Sequence, residues 1–178
     1  MNKLEKGYFQ IYTGSAKGKT TAALGLALRA AGSGLKTYIG QFLKRQEYGE
    51  LKAAEAFLAD YVEIEQYGEE GFLSTKGSPD PKDVEMARKG LAKAREKMLS
   101  GEFDIIIFDE INIAHHFGLL SLTEIMEVIN EKPEKVEIIF TGRYASVELV
   151  KIADLVTEMV EVKHYFKDDV QSRIGIEK

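Results

Sequence analysis

The sequence predicts a three-layer α/β domain built on a mostly parallel sheet. Three observations predict it. Short apolar runs alternate with helical patterns along the chain. The first run leads through a Gly-rich turn into a strong helix former. A later run, Phe103 to Phe108, is apolar almost throughout, as suits a strand covered on both faces. A single domain accounts for all 178 residues, a length that buries a full core without covalent staples.

Taken in order, Tyr8 to Thr13 reads as the first strand, rich in aromatic and β-branched residues. The segment from Lys19 to about Ala31 reads as a helix, stopped by Gly32-Ser33-Gly34. Lys36 to Phe42 is the second strand, Glu50 to Asp60 an Ala-rich helix, and Tyr61 to Tyr67 an alternating third strand. A long Gly-rich stretch follows and ends at Asp80-Pro81, a helix start with Pro at the first helical position. Loops of that length in compact domains usually serve function or motion. Val84, Ala87, Leu91, Ala94 and Met98 then recur at helical spacing and lay one apolar stripe on the sheet. Beyond Phe103 to Phe108, two further strands are expected at Val136 to Phe140 and Val156 to Val162, separated by a short helix near Ser146 to Ile152.

Composition narrows the function classes. There is no cysteine, which excludes disulfides, thiolate metal sites and cysteine nucleophiles. The formal net charge is −5, and the basic residues Arg88, Lys89, Lys93, Arg95 and Lys97 alternate with Glu85 and Glu96 as on a solvated helix face. No nucleic-acid partner is expected. The N-terminus lacks the apolar segment of a signal peptide and no apolar run reaches membrane-spanning length, so no membrane association and a cytoplasmic protein are expected.

The chemistry starts at Gly14-Ser15-Ala16-Lys17-Gly18-Lys19-Thr20-Thr21, between the first strand and the first helix. A phosphate-binding loop needs successive backbone N–H groups turned inward, which favours Gly, and a helix N-terminus behind them. Gly14 and Gly18 supply the first, and the helix opening at Lys19 supplies the second. Lys19 can reach phosphates, and the Thr20 hydroxyl can join a Mg²⁺ shell. The pattern departs from G-x-x-x-x-G-K-[ST] at its first position, which is Thr13, and carries an extra cation at Lys17. The strand, turn and helix around it argue against a chance Gly/Lys turn. ATP is therefore the expected ligand, and the fold is P-loop NTPase-like (RecA-like). An acidic partner stands at the end of the buried strand, Asp109-Glu110, and either carboxylate can hold the metal directly or through water.

Phosphate loops serve many reactions, so the loop alone does not name one. Further segments do: IGQFLK, FDEINIAHHFGLL, EKPEKVEIIFTGRYA, ADLVTEMVEVKHYF and RIGIE, in this order after TGSAKGKTTAALGLALRAAGSG. Together they resemble the ATP:corrinoid adenosyltransferases, from about residue 7 to residue 177, and the TGR and ADLVTEM…KH blocks are more specific than the loop. The resemblance implies transfer of the 5′-deoxyadenosyl group of ATP to cobalt(I) of a corrinoid, with release of triphosphate, in adenosylcobalamin synthesis or salvage. It implies Mg²⁺, a corrinoid co-substrate, an electron-donating reductase and a homodimer. Lys19 would then stabilise the leaving triphosphate.

The resemblance also assigns residues for which a structural role stays open. Arg29 on the first helix is a nucleotide contact or a solvated helix residue. Arg143 in Thr141-Gly142-Arg143 follows a strand's C-terminal end, where such sheets place ligands, and is a phosphate or corrinoid contact or a structural ion-pair partner. Phe72, in Gly71-Phe72-Leu73, is the candidate aromatic that pushes the lower axial ligand off cobalt, with Tyr67 or Phe57 as possible helpers, or else it anchors the long loop. The chain has no Trp, which some relatives carry near that place, and it has Arg45 and Lys167-Asp168-Asp169 where the family favours Gly and Asp-Ala-Gly. His115 and His116 are adjacent, project in different directions on a helix and are not expected to chelate a metal. Two other functions share the loop: a P-loop kinase of a small metabolite, and a non-catalytic ATP-binding regulator or corrinoid escort.

Overall fold

The computed structural model describes residues 4–46, 48–68 and 79–177. Six strands form one all-parallel sheet in the order β3-β2-β4-β5-β1-β6. In chain order they are β1 Phe9–Thr13, β2 Thr37–Phe42, β3 Val62–Tyr67, β4 Ile105–Asp109, β5 Glu137–Thr141 and β6 Leu155–Glu158. The helices are α1 Lys19–Gly32, α2 Gly49–Phe57, α3 Pro81–Leu99, α4 Ile111–His116, α5 Leu122–Asn130 and α6 Val147–Ile152.

Alternation along the strands builds two cores. Ile39, Ile105, Ile107 and Ile139 point to the face covered by Ala23, Ala27 and Ala30 of α1 and Ala54 of α2. Tyr38, Phe42, Ile106, Phe108 and Phe140 point to the opposite face, covered by α3, α4, α5 and α6. The small residues of α1 and the large aromatics opposite let one sheet carry unequal helix layers at native density. Phe140 is the hub of the aromatic side, meeting Phe9 and Phe108 edge-on at centroid distances of 4.8 and 5.0 Å.

The terminators act as the residue types suggest. Gly34 takes φ 77°, and the Leu35 and Gly34 amides donate to the Ala30 and Ala31 carbonyls, closing α1 in a Schellman motif. Asp80 caps α3 by accepting from the Lys82 amide at 2.8 Å. Within α3, Gly90 is dictated by packing: a Cβ there would lie 2.7 Å from Cγ of Tyr67. The Tyr67 ring cannot swing away freely, because its hydroxyl is bound to Tyr38 and Glu65. Gly90→Val is therefore expected to cost about 2 kcal/mol or more through overpacking, read as a shift of the urea-unfolding midpoint; an unchanged midpoint would show that the ring yields.

Two expectations shift. The helix α5 lies between β4 and β5, where the sequence reading placed no helix beyond the one carrying His115 and His116. The last strand ends at Glu158 rather than at Val162. It pairs only with β1, and the ladder runs out where β1 ends, at the Thr13–Glu158 pair. Beyond it Val160 and Val162 are exposed, so their alternation reflects no pairing.

Candidate active site

Because all strands run one way, Thr13, Asp109, Thr141 and Glu158 end at one edge of the sheet. The phosphate loop leaves β1 there. Gly14 and Gly18 take φ of 100° and 118°, and Gly18 forms the N-cap of α1 without any side-chain cap. No acidic residue sits in the first turn of α1, so its free N–H groups face an anion without competition. The loop is braced from behind by the end of β6. The Met159 amide donates to the Thr13 carbonyl at 2.9 Å, and the Met159 carbonyl accepts from the Ala16 amide at 3.0 Å. A Cβ on Gly14 would lie 2.3 Å from that carbonyl oxygen. The start of the same segment is fastened by Asp154, whose carboxylate accepts from the Phe9 amide at 2.8 Å. The A-D-L-V-T-E-M block thus supports the loop from the neighbouring strand.

In front of the loop lies a cleft of about 550 Å³, lined among others by Ala16, Lys17, Gly18, Lys19, Thr20, Thr21, Glu110 and Arg143. The Lys19 ammonium is folded back onto the loop, donating to the Gly14 carbonyl at 3.0 Å and the Ala16 carbonyl at 2.6 Å. Burial lowers its pKa, partly offset by Glu110 and Asp109.

The two carboxylates of the acidic pair have different surroundings. Asp109 is fully buried. Its Oδ1 accepts from the hydroxyls of Thr20 at 2.8 Å and Thr141 at 2.6 Å. Its Oδ2 accepts from Gln41 Nε2 at 3.3 Å and from Lys44 Nζ at 2.7 Å. Glu110 follows in a left-handed conformation, φ 65°, which breaks the strand and turns its side chain to the cleft. Its Oε2 is buried without a hydrogen-bond partner. Burial and the neighbouring Asp109 raise its pKa, against the pull of Lys44, Lys19 and Arg143. A buried carboxylate oxygen left unpaired is costly unless a ligand completes it.

The oxygen donors of Thr20, Asp109 and Glu110 suit a hard cation such as Mg²⁺. Among the described residues no group of three or more His, Asp or Glu side chains could hold a metal by itself. A metal here would be shared with the phosphates of a nucleotide, the usual arrangement for Mg²⁺.

A family model for ATP:corrinoid adenosyltransferases (BtuR/CobO/CobP) matches residues 5–177. The chain belongs to the ATP:corrinoid adenosyltransferase family. A corrinoid adenosyltransferase of Sinorhizobium sp. is 34% identical over 175 residues, covering 97% of this chain and 81% of the relative. One from Escherichia coli is 32% identical over 174 residues, covering 97% and 86%. Among solved structures, a KaiC-like protein from Pyrococcus horikoshii aligns with TM-score 0.54 at 13% identity, over 89% of this chain and 75% of that one, a likeness of fold.

For an adenosyltransferase the remaining candidates fall into clear places. Gly14 and Ser15 are not in the cleft wall: Gly14 is set against Met159, and Ser15 is exposed. Arg143 is exposed and lines the cleft. Arg29 is not brought there: it is exposed in the last turn of α1, ten residues and about 15 Å along the helix from Lys19. Phe72 lies outside the described residues. Of its possible helpers, Tyr67 is only 6% exposed and hydrogen-bonded inside the fold, whereas Phe57 is 83% exposed at the end of α2.

The structure also adds lining residues that the sequence reading missed. Lys44 and Tyr48 approach from the β2–α2 connection and Glu50 from the first turn of α2, and His164, Gly175, Ile176 and Glu177 come from the C-terminal segment. The first signal was present in the I-G-Q-F-L-K block and the last in R-I-G-I-E, but nothing in I-G-Q-F-L-K announces that Lys44 meets Asp109, 65 residues further along the chain. No helix among the described residues is long and apolar enough to cross a membrane.

Proposed function

We propose that the cleft holds the triphosphate of Mg·ATP while cobalt(I) of a corrinoid attacks the 5′ carbon of the nucleotide. The cobalt–carbon bond forms as the bond from C5′ to its phosphate oxygen breaks. The bonding pair leaves with the triphosphate. Adenosyl transfer from ATP to a corrinoid is the family's reaction; the division of labour among residues is the proposal. The observation that carries it is the pairing of an uncapped, Gly-lined helix N-terminus with the unpartnered Oε2 of Glu110.

Cobalt(I) has no proton to lose, so the reaction asks the chain for orientation and charge stabilisation rather than for a base. The loop from Lys17 to Thr20 lines the cleft, so its amides and the Lys17 and Lys19 side chains are the groups at hand to stabilise the charge that grows on the leaving triphosphate. Thr20 and Glu110 are the residues that would hold the metal, and Asp109 orients the Thr20 hydroxyl. Bound there, Mg²⁺ supplies additional positive charge to the departing phosphates. Arg143 stands at the cleft wall to touch phosphate or corrinoid. A homodimer and an electron-donating reductase complete the reading, both from the family resemblance.

The test is to mix protein, Mg·ATP and chemically reduced cobalamin without oxygen. The cobalt–carbon product and inorganic triphosphate are expected; ADP as the nucleotide product would discard the reading in favour of a kinase. In the same assay Glu110→Gln is expected to raise the Mg²⁺ concentration for half-maximal rate by on the order of tenfold or more, the scale typical of altering a metal's close partners. An unchanged Mg²⁺ dependence would remove Glu110 from the metal.

A further inference from the structure

Lys44 lies just beyond β2, where a non-glycine residue in the left-handed region, Leu43 at φ 60°, redirects the chain. The Leu43 amide is fixed to the Tyr67 carbonyl at 2.8 Å, so the bend is held by β3. Strained backbone of this kind persists where surrounding structure over-determines it, and often does so at functional sites. The bend aims Lys44 back over the end of the sheet. Its ammonium sits 2.7 Å from Asp109 Oδ2, with side-chain exposures of 16% and 1%, and 5.4 Å from the centre of the Tyr48 ring. Desolvation weakens the ammonium, but the attraction of Asp109, Glu110 and Glu50 outweighs it, and the Lys44 pKa is raised.

With Lys44 in place, both oxygens of Asp109 are saturated, each by two donors. The acidic corner that should attract a divalent cation therefore already contains a positive charge. A bare divalent ion entering beside Thr20 and Glu110 would meet that ammonium at close range and gain no phosphate ligands in return. A nucleotide changes the balance. Its triphosphate offers Lys44 another anion within the same cleft, and the long flexible stem of lysine lets a compact charge move without rearranging the backbone.

We propose that Lys44 is a placeholder cation: it neutralises Asp109 in the nucleotide-free protein, keeps free Mg²⁺ out, and passes to the triphosphate when the metal–nucleotide complex enters. This rests on the Mg·ATP reading above and adds an order of events to it. Metal loading becomes conditional on nucleotide, and the ammonium becomes one more positive group on the leaving triphosphate.

Equilibrium dialysis of the whole chain against Mn²⁺, with and without ATP and with no corrinoid present, tests this without reference to activity. The wild type is expected to retain stoichiometric Mn²⁺ only with ATP. Lys44→Met and Lys44→Gln are expected to bind Mn²⁺ without nucleotide at least tenfold more tightly than the wild type. Their melting temperatures should be lower than wild type without metal and recover when Mn²⁺ is added. Lys44→Arg, which keeps the charge, should exclude free Mn²⁺ as the wild type does. Lys44→Gln retains a donor for Asp109 and serves if Lys44→Met does not fold. If both neutral variants bind free Mn²⁺ no better than wild type, the placeholder role is overturned while the metal site stands. If the wild type with ATP retains no Mn²⁺, the Mg·ATP reading falls and the placeholder role with it.

Discussion

Lys19→Ala is expected to reduce kcat/KM for ATP by about a thousandfold, with the fold retained. Removing one preorganised group that stabilises developing charge costs roughly 10²–10³ in rate, and Lys19 also contributes to holding the nucleotide before reaction. Its ammonium now satisfies itself on the Gly14 and Ala16 carbonyls, which belong to the loop that a triphosphate would fill. The exchange of those carbonyls for phosphate oxygens is local and needs no backbone movement. Its loss should leave the unfolding curve close to wild type, because Ala16, whose carbonyl it frees with that of Gly14, lines the open cleft, where water can enter. Initial rates from the absorbance of the cobalt–carbon product, with ATP varied, check the first claim and a urea titration the second. Turnover within a few-fold of wild type would discard the placement of the triphosphate on this loop.

Asp109→Ala is expected to be the most destabilising substitution in the site. The change leaves two hydroxyls, the Gln41 amide and the Lys44 ammonium without their common acceptor in a buried place. Breaking a buried charge pair by deleting one partner costs about 3–5 kcal/mol, because the other charge stays behind uncompensated. The double variant Asp109→Ala with Lys44→Met should recover part of that loss, since it removes the stranded charge as well. A urea-unfolding series over the wild type, both single variants and the double variant measures the coupling directly. A loss below about 1 kcal/mol for Asp109→Ala would place the pair among weak, solvent-screened ones. Activity should vanish with it, because the Thr20 hydroxyl loses the acceptor that orients it.

Much of this molecule was legible from local pattern. β-branched and aromatic runs marked five strands to within two residues, and Asp80-Pro81 and Gly32-Ser33-Gly34 marked helix ends by chemistry that works at short range. What escaped depended on distance. α5 carried its own signal, the capping box of Ser121 and Glu124, in which the Ser121 side chain accepts from the Glu124 amide and Glu124 reaches back to the Ser121 amide. That signal is short and sits between two stronger strands. Val156 to Val162 failed in the other direction: alternation promises a strand only where a neighbour exists to pair with it, and β1 had already turned into the loop.

The site divides in the same way. Gly14 to Thr21 announces itself, because a phosphate loop is contiguous. The distinct environments of Asp109 and Glu110 do not, since adjacent carboxylates look alike until their partners are known. Asp109 is saturated by residues from three other segments, and Glu110 keeps an oxygen free. Lys44, the strongest charge in that contrast, was visible only as one letter of a family block.

The bracing of the phosphate loop by Met159 and Asp154 bears on when this protein can first recognise its nucleotide. Chains emerge from the ribosome N-terminus first, and the Gly-rich turn at residues 14–21 is made long before Met159. Its brace, Met159, directly follows β6, Leu155–Glu158, the last strand in sequence among the described residues. An unfinished chain can carry every residue of the loop and still lack the surface that shapes it. Shaping of the phosphate loop is thereby tied to synthesis as far as Met159, well after the loop's own residues have been made.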